Sequence, residues 1–143
     1  MFGMVGAIGT LIVSSFFDVK WKKIPVAVLL AGGVWALVWM FMCIAAQGCG
    51  KVLAANAVAV LPGAAMIVTS FLTNKKVGYG DGILLVILGI MEGIEKILLV
   101  FCVGLFLQSL AAVVLLLMKK ADKQTCIPFV PFLLAAQMIF LIW

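Results

Sequence analysis

The chain has 143 residues, 67% of them apolar and only 10% charged, with a formal net charge of +5. A soluble domain of this length needs a polar exterior, and too few polar residues are present to make one. The composition excludes an ordinary soluble domain and predicts an all-α, polytopic protein, one membrane-embedded domain over residues 1–143.

Breaking the chain at its charges predicts six transmembrane helices. The first run, Met1–Phe17, has no basic segment ahead of it and no cleavage site, so it reads as a retained helix rather than a signal peptide. It ends in Ser14-Ser15-Phe16-Phe17 and is followed directly by Asp18. The second, Ile24–Ala46, opens on Ile24-Pro25 and carries Trp35 and Trp39 one turn apart, as packing or lipid-facing residues. The third, Val52–Leu72, is long enough to cross the roughly 30 Å of hydrocarbon. The fourth, Val77–Met91, is short: as a helix it rises about 22 Å. It contains Gly78-Tyr79-Gly80-Asp81-Gly82. The fifth run is Ile97–Met118, and the sixth, Ile127–Trp143, begins Ile127-Pro128-Phe129-Val130-Pro131-Phe132. Asn56, Gln108 and Gln137 lie inside runs and are expected to make interhelical hydrogen bonds. Tyr79, Trp21 and Trp143 read as interfacial anchors.

The charges sort by face. Lys20, Lys22, Lys23, Lys75, Lys76, Lys119, Lys120 and Lys123 fall between runs on one side, and only Lys51 and Lys96 on the other. The positive-inside bias makes the lysine-rich side cytoplasmic and puts both termini outside. The lysines are then orientation signals in contact with anionic lipid rather than a nucleic-acid surface, and no nucleic-acid partner is expected. Cys43, Cys49, Cys102 and Cys126 form no C-x-x-C pair and the chain has no histidine, so neither a structural metal nor a disulfide framework is expected. They read as buried, reduced packing residues.

Two carboxylates lie against apolar runs on the lysine-rich face, Asp18 and Asp81, while Asp122 sits among lysines as ordinary loop charge. Taken singly, Asp18 reads as a charge balancing Lys22 or Lys23, and Asp81 as the N-terminal cap of the fourth helix. Taken together they suit hydrolysis of a peptide bond. One carboxylate takes a proton from water, the other donates one, and two close carboxyls in a low dielectric hold a single proton between them. Gly78, Gly80 and Gly82 carry no side chain, so a substrate backbone has room beside Asp81, and they weaken regular helix there. An interrupted short span around an ionisable residue is a pointer to a functional site.

The order Asp18, Ile24-Pro25, then Gly78-Tyr79-Gly80-Asp81, with a proline–phenylalanine opening of the last span at Pro128, Phe129, Pro131 and Phe132, resembles the prepilin peptidases. These belong to the G-x-G-D intramembrane aspartyl peptidases, and the resemblance covers essentially the whole chain. It implies an aspartic endopeptidase of a prokaryotic plasma membrane, with Asp18 and Asp81 as catalytic pair. It also implies a basic, glycine-ended leader of a prepilin or pilin-like secretion subunit as substrate, cleaved at the cytoplasmic membrane edge without cofactor or metal. Pro25 and Pro128 match helix-opening prolines. Val26 and Ile83 depart from the family's frequent Asn and Lys. No paired-cysteine methyltransferase segment is present, so a short, peptidase-only form is expected. A small proton- or cation-coupled transporter, in which the same aspartates relay protons, is the alternative. It leaves the shared face and the glycine frame without a reason. A structural assembly subunit would need neither aspartate.

Overall fold

The computed structural model describes residues 2–21, 24–73, 78–118 and 128–142. Lys22, Lys23, Lys75, Lys76, Val77, Lys119, Lys120, Asp122, Lys123, Cys126, Ile127 and Trp143 lie outside them. The elements are α1 (Phe2–Trp21), α2 (Val26–Gln47), α3 (Cys49–Ala59), α4 (Leu61–Leu72), α5 (Tyr79–Glu92), α6 (Ile94–Leu117) and α7 (Val130–Ile142). There is no strand among the described residues.

Helices α3 and α4 are two halves of one apolar run, Cys49–Leu72. Val60 between them keeps right-handed helical angles (φ −78°, ψ −19°), so the chain does not turn back. Pro62 has no N–H to continue the ladder, which breaks the regular bonding at this point. Among the described residues, helical runs therefore number six, as expected. Four are long and apolar enough to cross a membrane: Phe2–Trp21, Val26–Gln47, Cys49–Leu72 and Ile94–Leu117. Helices α5 and α7 are shorter, with 14 and 13 residues. They rise only about 21 and 20 Å.

Several boundaries differ from the sequence reading. Helix α1 continues past Phe17 to Trp21, which places Asp18 inside its last turn rather than after it. Helices α3 and α6 start before Lys51 and Lys96, because the preceding turns shrink to single glycines. Gly48 (φ 88°) and Gly93 (φ 83°) occupy the left-handed region, where a side chain would be strained. Cys43 is half-buried and Cys49 and Cys102 are exposed, so these three are not the buried packing residues expected.

The short helix α5 is the centre of the bundle. Helix α5 packs on α1, α2, α3, α4 and α6, and buries Gly82, Leu84, Leu85, Ile87, Leu88, Gly89 and Met91. A helix apolar all round must be covered all round. Its closest neighbour is α4, and small residues permit the approach. A Cβ on Gly82 would lie 2.6 Å from Cγ1 of Ile67, one on Gly63 would lie 2.6 Å from the Val86 nitrogen, and one on Gly89 would run into the Ala59 carbonyl oxygen. On the other side, Trp39 and Trp35 of α2 lie over Gly3 and Gly6 of α1, and Trp35 stacks on Phe2. Helix α7 closes the bundle against α6 and α1, with Leu133 seated on Gly104. The long helices turn much of their apolar surface outward: Phe41, Phe71 and Leu117 are 75, 81 and 78% exposed. Water would penalise such a surface, whereas lipid solvates it. The architecture is that of a helical membrane protein.

Candidate functional site

Four element ends converge at one end of the bundle: the last turn of α1 and the first turns of α2, α5 and α7. The convergence is built from local backbone chemistry. The opening of α7 is the clearest case. Its first turn has amides that no earlier carbonyl can accept. Phe132 and Leu133 both donate to the Phe129 carbonyl (3.1 and 3.3 Å), and Pro131 has no N–H to satisfy. The Val130 N–H remains, and Oδ2 of Asp18 accepts it at 3.2 Å. The Phe129 amide turns to the same carboxyl. Asp18 thus caps a helix far away in sequence, with its charge against the positive end of that helix. It is buried, with 7% of its surface exposed, on the same face of α1 as Gly3, Ala7, Leu11 and Ser14. Phe129 is buried beside it and meets Phe101 edge to face (centroids 6.3 Å apart), which holds the α7 opening in place.

Asp81 is the third residue of α5 and half-buried. The expected capping role is not met. Gly78 is the N-cap, in extended geometry (φ −61°, ψ 114°), with no side-chain capping bond, and Asp81 itself donates its N–H to the Gly78 carbonyl at 3.2 Å. The Asp81 carboxyl instead folds back over Gly78, where a Cβ would lie 2.6 Å from Oδ2. A side chain at position 78 would therefore displace the carboxyl. The carboxyl stays within the first turn, so it keeps the favourable side of the helix dipole without serving as a cap. It is also near enough to Asp18 for the Asp18 charge to act on it.

The glycines do not share one role. Gly80 and Gly82 lie inside α5, so they do not interrupt helix ahead of Asp81. Gly80 faces Ile24 at an ordinary contact distance of 3.5 Å for a Cβ, and Gly82 serves the packing on α4 described above. Only Gly78 touches the carboxyl. Tyr79 is exposed, as is Trp21, which stacks on Phe17 with centroids 5.1 Å apart. Ile24 packs on the core beside Gly80. Pro25 is the N-cap of α2 (φ −65°, ψ 138°) rather than its first residue, and its carbonyl accepts from Val28 and Leu29. Pro128 and Pro131 flank Phe129, and Pro131 and Phe132 are in the first turn of α7.

Sequence reasoning missed two features. One is the Val130 amide, a backbone group with no side-chain signature. The other is a partly buried pair at the far end of α5, where Glu92 accepts a hydrogen bond from Nε2 of Gln137. An interhelical bond for Gln137 was expected, but its acidic partner lies just beyond the fourth predicted run, Val77–Met91. Among the described residues no three of His, Cys, Asp and Glu gather where they could hold a metal ion.

The arrangement presents two carboxyls at one end of a helical bundle. One is held by a helix N-terminus and the other, partly exposed, stands over a glycine. Such a pair can share a proton, bind a water between its oxygens, and pass a proton to a substrate. Comparison of the chain with protein-family models, curated proteins and solved structures returns no match.

Proposed function

We propose that the protein is an intramembrane aspartyl endopeptidase of the prepilin leader-peptidase type, acting at the cytoplasmic face of a prokaryotic plasma membrane. The observation that carries this reading is that Asp18 and Asp81 lie at one end of the bundle, near enough for the charge of one to act on the other. Motif order and the proline–phenylalanine opening of α7 support it, since that opening is what holds Asp18.

In this mechanism the Asp18 oxygen that accepts the Val130 N–H is fixed, and its second oxygen faces the reacting water as general base. Asp81, whose carboxyl lies over Gly78 rather than in a cap, carries the shared proton to the scissile carbonyl or leaving amine. The water attacks the carbonyl carbon, the C–N bond breaks, and the proton taken from water ends on the new amine. The substrate is a basic, glycine-ended leader joined to an apolar helix, so the bond to be cut lies at the membrane edge. The lysines between spans orient the protein with this end inward.

The test is co-expression with a matched prepilin, reading leader removal as a mass shift. Asp18→Asn and Asp81→Asn are each expected to abolish processing while the protein stays in the membrane. Full processing by the Asp81 variant would overturn the reading.

A further inference from the structure

Four hydroxyl groups on these helices share a habit. Thr10, Thr69, Thr73 and Ser109 each donate to a backbone carbonyl three or four residues earlier, at 2.6 to 3.4 Å. That is the usual way a helix satisfies such a group in apolar surroundings. Ser14 breaks the habit. It is fully buried (0% exposed), and its Oγ has no hydrogen-bond partner among the described residues. A buried hydroxyl left so costs about 1–3 kcal/mol. Its position gives the cost a reason. Ser14 lies one turn before Asp18, on the buried stripe Gly3, Ala7, Leu11, Ser14 and Asp18. Side chains four apart on a helix are neighbours, roughly 5–6 Å between Cβ atoms. The hydroxyl therefore lies on the bundle-interior side of the Asp18 carboxyl.

We propose that Ser14 is a positioning residue whose hydroxyl holds the water activated by Asp18 and Asp81. This inference rests on the peptidase reading and deepens it. A buried water makes about three hydrogen bonds. Two carboxyls supply two, and a third from below fixes the water's depth and aims its lone pair at the carbonyl carbon. Asp18 is tied on its other oxygen to the α7 amide, so it cannot both hold and orient the water alone. Ser14 touches neither the leader nor the scissile bond. It acts through the water, so its removal lowers the rate of chemistry and spares substrate binding.

The experiment uses the purified full-length protein in detergent with a purified prepilin as substrate. Ser14→Ala and Ser14→Thr are compared with wild type, Asp18→Asn and Asp81→Asn. Ser14→Ala is expected to lower kcat on the order of 100-fold with KM unchanged, because a misplaced reactant costs about that much. Its pH–rate profile is expected to shift, and Ser14→Thr to recover most of the rate. Wild-type kcat and pH profile in Ser14→Ala, with both asparagine variants inactive, would overturn the positioning role and leave the peptidase standing. Full cleavage by either asparagine variant would instead remove the peptidase. A second measurement needs no turnover. The infrared C=O band of the protonated carboxyl, identified by its loss in Asp81→Asn, is expected to move in Ser14→Ala and return in Ser14→Thr. An unmoved band counts against the inference whatever the kinetics.

Discussion

The Asp18 carboxylate accepts the N–H of Val130, so truncating it removes a helix cap and, on the proposed reading, a catalytic group. The two effects separate by choice of substitution. Asparagine keeps an acceptor oxygen for the amide and loses the charge. Alanine loses both and leaves a buried donor unpaired. Asp18→Ala is expected to lower stability by about 1–3 kcal/mol, and Asp18→Asn by less. Both are expected to be inactive, so thermal unfolding in detergent beside the cleavage assay resolves them. A residue that only capped α7 would leave Asp18→Asn fully active. The same scale separates Gly78 from Gly80. A methyl at position 78 meets the Asp81 carboxyl, while one at position 80 makes ordinary contact with Ile24. Gly78→Ala is therefore expected to cut the cleavage rate more than Gly80→Ala, on the order of tenfold or greater, as a displaced carboxyl loses its geometry.

At the scale of elements, α5 decides the architecture. Its glycines set how near α4 comes, and that spacing is backbone on backbone. Gly89→Ala drives a methyl into the Ala59 carbonyl, which has no rotamer to escape through. It is expected to cost about 1–3 kcal/mol. Gly33→Ala, on a side of α2 where nothing lies within 4 Å, is expected to cost nothing measurable. Equal unfolding midpoints for the two would contradict the proposed helix contact. The far end of α5 depends on Glu92 and Gln137. One Glu92 oxygen accepts from Gln137, and the other is buried without a partner among the described residues. Gln137→Leu removes that bond and leaves the carboxyl with only the Lys96 charge nearby among the described residues, so a loss of about 1–3 kcal/mol is expected. Glu92→Gln with Gln137→Leu is expected to recover part of that, because a neutral amide is easier to bury.

For the whole molecule, the outward apolar surface of the long helices and the converging carboxyls at one end set a directional arrangement. On the proposed orientation, that end faces the cytoplasm. A cysteine replacing Lys22 in an otherwise cysteine-free protein is expected to react with a membrane-impermeant maleimide only after the cytoplasmic side is opened. One replacing Lys51 is expected to react from outside in intact cells. The reverse pattern would put the carboxyls on the wrong face for a leader peptide.

Much of this was legible in the chain itself. Apolar run lengths and charge placement predicted the six helical runs, because the hydrophobic thickness of a membrane imposes its period directly on sequence. The scarcity of acids singled out Asp18 and Asp81, since a carboxylate beside apolar residues is costly enough to be conspicuous. Tertiary structure decided the rest, for reasons a one-dimensional pattern does not carry. Gly82 was read as space for a substrate and is space for α4, because a glycine's use depends on what lies opposite it. Asp81 was read as a cap and Gly78 holds that place, because capping depends on backbone angles a residue or two away. Asp18 was read as lying after its helix, and it lies within it, bonded to an amide more than a hundred residues on. Backbone donors have no residue type, so no reading of side chains finds them. That the charge of one acid reaches the other follows from how α1, α5 and α7 pack, and packing is a property of all the helices together.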